Sequence, residues 1–294
     1  MKTKVVIIIL NWNGVEDTQK CVESVLKIDF TDYKILVVDN GSEKDEVSIL
    51  KNKFGKKIEV LALPQNVGFT GGMNAGIQYV QKYNPEFFLL LNNDTEVTKH
   101  FLSQLIQTAA TNPTIGILSP TIYNYDDHNK IIFSGGYINW LFGKTYHKTD
   151  RANEIRICNF ITGCCLLIKS EVIKKVGLFD ERFFAYFEDA AYSLAAKKAG
   201  FACACDPDSI IYHKEGASME KTGPFKTYLI ARNRILFVKY YAPFFVKYYF
   251  AIFNIFKLFF ASIYFTLTGQ AARARTFFKG YIDGTFGGGG MPTI

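Results

Sequence analysis

Apolar runs and mixed stretches alternate along the first half of the chain. Lys4 to Leu10 (KVVIIIL) is β-branched and continuously apolar, the pattern of a central strand covered on both faces. It stops at Asn11-Trp12-Asn13-Gly14. From Asp17 to Ile28, Cys21, Val22, Val25 and Leu26 fall on one helical stripe. Lys34 to Val38 repeats the strand pattern and stops at Asp39-Asn40-Gly41-Ser42. A helix follows, then a third strand around Ile58 to Leu61. This alternation predicts an α/β fold with parallel strands and right-handed crossovers.

The run Phe88-Leu89-Leu90-Leu91 ends abruptly in Asn92-Asn93-Asp94. In open α/β sheets, ligands sit beyond the carboxyl ends of the strands. A carboxylate there suits a hard cation, Mg²⁺ or Mn²⁺, carrying a diphosphate. The same residues also fit a turn in which Asp94 caps a helix starting near Val97. Several polar strand ends converging describe a nucleotide-type cleft. No G-x-G-x-x-G follows the first strand and no G-x-x-x-x-G-K-[ST] occurs, which argues against dinucleotide and P-loop folds. Asn66 to Gly76 (NVGFTGGMNAG) is a glycine-rich entry to a helix. It suits phosphate or sugar hydroxyls, or a close helix–sheet contact.

Further on, Thr98 to Ala110 reads as a helix and Ile115 to Leu118 as a strand. Residues 123–159 read as irregular, rich in Tyr, Asn and Gly, forming the acceptor side of the cleft. Phe160 to Ile168 is apolar and leads to a helix with Ser170 as its N-cap. Phe183-Phe184-Ala185-Tyr186-Phe187 precedes Glu188-Asp189, and a helix then runs to Ala199, ended by Gly200. A carboxylate among apolar neighbours acquires the raised pKa of a general base. Acids at a helix start also favour its dipole, and the two roles are compatible. Phe201 to Ala204 reads as a short strand. His213 follows Ile210-Ile211-Tyr212 and is either structural or a second metal ligand beside Asp94.

Charge separates the chain into two parts. Residues 221–294 hold ten basic residues and one acid, Asp283, a balance of +9 against +7 for the whole chain, so the first 220 residues stand at −2. At 294 residues the chain accommodates a large α/β domain, residues 1–240, and an appendage, residues 241–294. In the appendage, Phe244 to Thr268 is dominated by Phe, Tyr, Ile and Leu. Its longest uncharged run, Leu258 to Ala272, is 15 residues, short of the roughly 20 needed to span a bilayer. An interfacial amphipathic helix is expected, with Arg273, Arg275 and Lys279 meeting an anionic membrane surface. The alternative is a helix packed on the catalytic domain or on a second subunit in a homodimer. Nucleic acid is excluded as a partner, because the basic residues are interleaved with too much hydrocarbon. Gly287 to Gly290 reads as mobile. The six cysteines include no C-x-x-C pair and lie largely in apolar segments, fitting buried reduced thiols in a cytosolic setting. Val5 to Leu10 is too short for the apolar region of a signal peptide.

Taken in order, Asn11-Trp12-Asn13-Gly14, Asp39-Asn40-Gly41-Ser42, Asn66 to Gly76, Leu91 to Asp94, Glu188-Asp189 and His213 resemble family 2 glycosyltransferases of the GT-A fold. The chain is most similar to the bacterial rhamnosyltransferase-like enzymes of polysaccharide assembly. The resemblance covers residues 3 to about 240 and continues more weakly to Gly290. It implies a GT-A fold with a mostly parallel central sheet and a nucleoside-diphosphate sugar donor, dTDP-rhamnose or a UDP-sugar. It further implies a lipid-linked or polysaccharide acceptor at the cytoplasmic face of the membrane, and inversion at the anomeric carbon. By the same resemblance Asn11 and Asp39 contact the nucleoside, Asn66, Gly71, Asn74 and Asn93 line the donor pocket, and Asp94 and His213 hold Mn²⁺ or Mg²⁺. Asp189, with Glu188 beside it, matches the general base, and Arg232 and Arg234 match an R-N-R segment that meets phosphates. One departure stands out: the branch reads E-D-x-D with an Arg four residues after the last Asp, where this chain has Ala191 and Ala195. An Asp and Arg so spaced face each other on a helix, so their joint loss removes an ion pair without stranding a charge. That loss also motivates a rival reading, a catalytically silent scaffold in a polysaccharide-assembly complex. A nucleotidyltransferase is disfavoured because no basic glycine-rich loop follows the first strand.

Overall fold

The structure, a computed structural model, describes residues 3–214 and 223–292. The N-terminal half follows the predicted alternation: β1 (Val5–Asn11), α1 (Val15–Val25), β2 (Tyr33–Asp39), α2 (Glu46–Phe54), β3 (Glu59–Ala62), α3 (Gly68–Val80) and β4 (Phe87–Asn92). Then come β5 (Thr95–Val97), α4 (Phe101–Thr111), β6 (Ile115–Asn124), β7 (Ile131–Phe133), β8 (Gly136–Asn139), β9 (Lys144–His147) and β10 (Arg156–Cys158). The chain continues with β11 (Cys165–Lys169), α5 (Ser170–Val176), α6 (Glu188–Lys198), β12 (Ala202–His213), α7 (Gly223–Tyr241), α8 (Phe244–Leu267) and α9 (Ala271–Phe286).

Among the described residues one mixed sheet runs in the order β10-β12-β6-β11-β4-β1-β2-β3, with β5 on β12 and β7 on β6. β1 is parallel to β2 and β4, β2 to β3, and β6 to β12, while β11 runs antiparallel between β4 and β6. β1 is central because its residues Val5 to Ile9 are all fully buried under helices on both faces. Its register pairs Asn11 with Asp39 and Leu10 with Asn92. The polar ends of three parallel strands therefore lie side by side.

Several expectations are corrected. Asp94 does not cap a helix: β5 intervenes, and α4 begins at Phe101 after an N-terminal residue, His100, whose side chain makes no cap. The stretch 123–159 is not irregular but holds four short strands, β8 and β9 forming a separate hairpin. Three- and four-residue strands carry too few positions for an alternating pattern to register. Ser170 is the first helical residue rather than the cap, and its hydroxyl donates to the Pro85 carbonyl. The strand expected at 201–204 extends to His213, with its register shifting between Asp206 and Ile210. Pro207 cannot donate to the ladder, and this bulge breaks the apolar run that would have announced one long strand.

α9 packs back along α7. The approach is close at Gly280 and Gly284, where an added Cβ would lie 2.6 Å from the Tyr228 carbonyl oxygen and 2.7 Å from that of Arg232. The glycine run is docked, contrary to the mobile tail expected. Gly290 donates its N–H to the Arg182 carbonyl, and Gly289 lies against the same residue. α8, in contrast, buries little beyond Phe250 and Asn254. Its 24 residues are long and apolar enough to cross a membrane by length and composition, with Lys247 and Lys257 interrupting them.

Candidate active site

The strand ends form a buried hydrogen-bonded network. Asn11 is fully buried; its amide donates to Asp39 Oδ1 at 2.8 Å, Glu46 Oε2 at 2.7 Å and Ser42 Oγ at 3.3 Å, and its carbonyl accepts from Thr18 Oγ1 at 2.6 Å. Asp39 also accepts from the Ser42 hydroxyl and backbone. Asn11 is thus an orienting strut with no donor left for a ligand, whereas Asp39 Oδ2 has only one long contact, 3.3 Å from the Ser42 nitrogen. Asn93 Nδ2 donates to Thr18 Oγ1 at 2.9 Å and to the Gly14 carbonyl at 3.3 Å, tying the end of β4 to the loop after β1. Asn66 accepts from Asn40 Nδ2 and from the Gly68 N–H and so shapes the entry to α3. Gly71 sits where a Cβ would press on Val67. Asn74 turns away to the segment before α6, exchanging hydrogen bonds with Phe179 backbone and donating to Glu181 Oε1.

Asp94 and His213 meet because β5 and β12 pair antiparallel, Thr95 opposite His213. His213 Nε2 lies 3.1 Å from Asp94 Oδ1. That is ion-pair distance without hydrogen-bond alignment: Asp94 is 7% exposed, and its Oδ1 makes no hydrogen bond among the described residues. Burial opposes charge on His213, yet Cys164 and Asp94 together hold its pKa well above the usual imidazole value. Asp17, Lys20, Asn93, Tyr125 and Lys214 line the small space in front of Asp94, and Lys214 is bound to Asp17 at 2.5 Å. Among the described residues no group of three or more His, Cys, Asp or Glu is arranged to hold a metal. A buried, unsatisfied carboxylate oxygen beside one imidazole still fits a cation that takes its remaining ligands from diphosphate and water.

The second acidic pair stands across a two-residue bridge. Gly163 donates its N–H to Asp189 Oδ2 at 3.0 Å. The next residue, Cys164, lies beside His213, and its carbonyl accepts from the Asn92 N–H at 2.9 Å. Burial raises the pKa of both Glu188 and Asp189, and their mutual repulsion adds to it at Glu188. Backbone N–H groups of Gly163 and Ala190 favour the Asp189 anion, whereas Glu188 Oε2 is buried without a partner among the described residues. Of the two acids, Asp189 is the one whose anion the backbone stabilises. Tyr186 and Phe187 just before them are in the left-handed region, at φ 72° and 69°, a costly conformation for such residues. The fully buried Asn233 of α7 holds this turn, donating to the Ala185 carbonyl at 2.7 Å and the Tyr186 carbonyl at 3.0 Å.

Asn233 was not singled out by the sequence, nor were Thr18, Ser42, Glu46 and Cys164. A single polar residue inside a helix gives no signal of its own. Among the described residues Arg232 and Arg234 do not join the strand-end cluster through any hydrogen bond. Arg232 donates to the Gly290 and Arg182 carbonyls, and Arg234 to the Phe142 carbonyl. Ala191 is fully buried in an apolar cluster with Ile138, Phe160, Phe183, Leu236 and Phe237, while Ala195 is half-buried.

Comparison with known proteins adds the following. The profile of the family described as Glycosyl transferase family 2 matches residues 6–177. The low-salt glycan biosynthesis hexosyltransferase Agl10 of Haloferax volcanii is 24% identical over 234 residues, 78% of this chain and 74% of the relative. The N-acetylglucosaminyl-diphospho-decaprenol L-rhamnosyltransferase of Mycobacterium tuberculosis is 22% identical over 208 residues, 63% of this chain and 67% of the relative. Among solved structures, GalNAc-T7 with UDP, GalNAc and Mn²⁺ superposes with a TM-score of 0.60 at 17% identity, covering 86% of this chain and 55% of that one. TarS of S. aureus superposes at 0.57 and 17% identity, covering 82% of this chain and 40% of its own. The chain thus spans about half the length of these structural neighbours, and the likeness is one of GT-A-like fold.

Proposed function

The chain belongs to glycosyl transferase family 2 and is a glycosyltransferase; on that premise we propose that it moves a sugar, with inversion, from a nucleoside-diphosphate donor to a lipid-linked or polysaccharide acceptor. The observation that carries this reading is Asp94: a buried carboxylate oxygen left without a hydrogen bond beside His213, at the end of the strand flanked by the Asn11–Asp39 network. A Mn²⁺ or Mg²⁺ ion held by Asp94 and His213 would neutralise the diphosphate leaving group. Asp39, oriented by Asn11 and Ser42, accepts from the imide N–H of a pyrimidine base, consistent with UDP or dTDP. Asn93 and the glycine-rich start of α3, at Asn66 to Gly71, border the sugar diphosphate, with Asn74 fixing the neighbouring loop.

Asp189 takes the proton of the acceptor hydroxyl as its oxygen attacks the anomeric carbon. The bond from that carbon to the diphosphate oxygen breaks, and the diphosphate departs with the electron pair. Such proton transfer contributes about 10²–10⁴-fold. Ala191 and Ala195 leave the base and the Asp94–His213 pair intact, which favours the enzyme over the silent scaffold. The basic, aromatic C-terminal helices suit attachment at the cytoplasmic membrane face, where a lipid-linked acceptor resides.

Titration calorimetry of UDP- and dTDP-sugars with and without Mn²⁺, on this chain and on Asp94→Ala, tests the reading. Metal-dependent binding that disappears in Asp94→Ala is expected. A folded protein that binds no such donor would overturn it.

A further inference from the structure

Arg232 is 2% exposed, and among the described residues each acceptor bonded to its guanidinium is a neutral oxygen. Its Nε donates to Asn233 Oδ1 at 2.9 Å, its Nη1 to the Gly290 carbonyl at 2.9 Å and its Nη2 to the Arg182 carbonyl at 3.4 Å. Gly290 closes the circuit by donating its N–H to the same Arg182 carbonyl at 2.9 Å. One guanidinium thus joins α7, the loop before the two acids and the segment after α9.

The bond to Asn233 decides what that residue can do. A carboxamide offers an acceptor at one end and two donors at the other. With Oδ1 taken by Arg232, Nδ2 faces the Ala185 and Tyr186 carbonyls, at 2.7 and 3.0 Å. Turned over, the amide would set its oxygen against two carbonyl oxygens and its nitrogen against a guanidinium. Arg232 therefore fixes the orientation in which Asn233 holds the turn at Tyr186 and Phe187. The left-handed backbone of that turn persists only while its surroundings over-determine it.

The segment after α9 reaches the loop through glycine. Gly289 has φ 85°, and a Cβ there would lie 2.7 Å from the Arg182 carbonyl oxygen. Gly288 beside it has open space around it and no such φ. The loop is also fastened to α7 by Asp180, which accepts from the Arg182 guanidinium and, at 2.7 Å, from the Tyr241 hydroxyl.

We propose that Arg232 and the Gly289–Gly290 segment are positioning residues for Asp189, acting through Asn233 and the Arg182 carbonyl on the turn that leads into the acids. The assignment rests on the reading of Asp189 as the base and goes beyond it by making the aim of that base depend on the segment after α9.

Hydrogen exchange on the full chain tests the link without a substrate. Gly289→Val sets a branched side chain against the Arg182 backbone, and Gly288→Val is its matched control. Amides from Phe183 to Asp189 are expected to exchange about tenfold faster in Gly289→Val and in Arg232→Lys, whose single ammonium cannot serve three acceptors in the guanidinium plane, and at the native rate in Gly288→Val. With the UDP- or dTDP-sugar that binds in the calorimetric titration, the first two variants should lose about 10–10²-fold in kcat for donor hydrolysis while donor Kd stays within about twofold. Unchanged exchange in Gly289→Val, or equally fast exchange in Gly288→Val, overturns the proposal. Faster exchange with undiminished turnover overturns it too, because the turn then has no part in aiming Asp189. So does a loss of donor binding as large as the loss of turnover, because the fold is then at fault. A native chain that binds neither donor overturns the transferase reading, whereas the exchange data judge the tie between Arg232 and the turn on their own.

Discussion

The strand-end site and the C-terminal helices α7–α9 bury unpartnered atoms of opposite charge among the described residues. At the strand ends nearly every buried polar atom has a protein partner, and the prominent exception is an anionic oxygen, Asp94 Oδ1. On α7 the exception is a cationic nitrogen, Arg234 Nε, although the same guanidinium donates to the Phe142 carbonyl. The first lies beside a hydrogen-bonded network of Asn11, Asp39, Thr18 and Asn93. The second lies 5.4 Å from the centre of the Phe250 ring.

The most severe way to break the first region is to remove its chemistry. Asp189→Asn should lower kcat by about 10²–10⁴-fold with donor binding kept, since only proton transfer is lost. Comparable KM values and an unchanged thermal midpoint would establish that the fold was not the cause. Next in size, Ala191→Asp inserts a carboxylate into the Phe160–Phe183–Phe237 cluster. It should cost about 3 kcal/mol of stability as an unpaired buried charge. Adding Ala195→Arg one turn on should recover a large part of that, read by denaturant unfolding. No recovery would show that the two positions are not coupled.

Asn233→Ala strips two hydrogen bonds from buried carbonyls in the strained turn and should cost about 1–3 kcal/mol. It should also lower kcat by more than it changes the KM for donor, because the turn leads directly into Asp189 and meets the start of α3 through the neighbouring Phe184, whose carbonyl accepts from the Thr70 N–H at 3.3 Å. The pH profile sharpens the same comparison. Burial raises the folded-state pKa of Asp189 and Glu188. The acid limb of kcat should therefore lie above the ordinary carboxylate range, activity rising as pH passes the raised pKa. The stability contribution has the opposite sense. It is complete below the ordinary carboxylate pKa and is lost as pH rises through the raised one, so unfolding measurements should show the pair stabilising most in acid. Smallest of all, Phe259→Ser on the exposed face of α8 should alter stability within about 0.5 kcal/mol while reducing vesicle binding, since its ring is 60% exposed.

The two regions were not equally legible in the sequence. β1, β2 and β4 announced themselves through unbroken apolar runs, and their polar ends located the cleft. The parallel register that sets Asn11 beside Asp39 follows from that pattern. Residue type alone could only suggest the Asp94–His213 pairing. Its geometry depends on β5, three residues long, folding back on a strand interrupted by Pro207. The tail showed its aromatic and basic character plainly. Its packing stayed hidden, because Gly280 and Gly284 signal closeness without naming α7 as the partner. For the same reason Arg232 and Arg234 read as phosphate ligands of the donor, whereas their hydrogen bonds join them to carbonyls of Phe142, Arg182 and Gly290.

Asn233 ties the two regions together in a way that bears on any attempt to dissect them. It lies between two arginines on α7, the helix that α9 braces and α8 adjoins, yet its amide holds the loop in front of the catalytic acids. A fragment ending before α7 would keep every strand of the sheet and every acid of the cleft. It would nevertheless have nothing to hold Tyr186 and Phe187 in their unfavourable conformation, and the acids would lose their aim. Cutting the chain before α7 is thus expected to leave a protein that binds donor and turns over poorly.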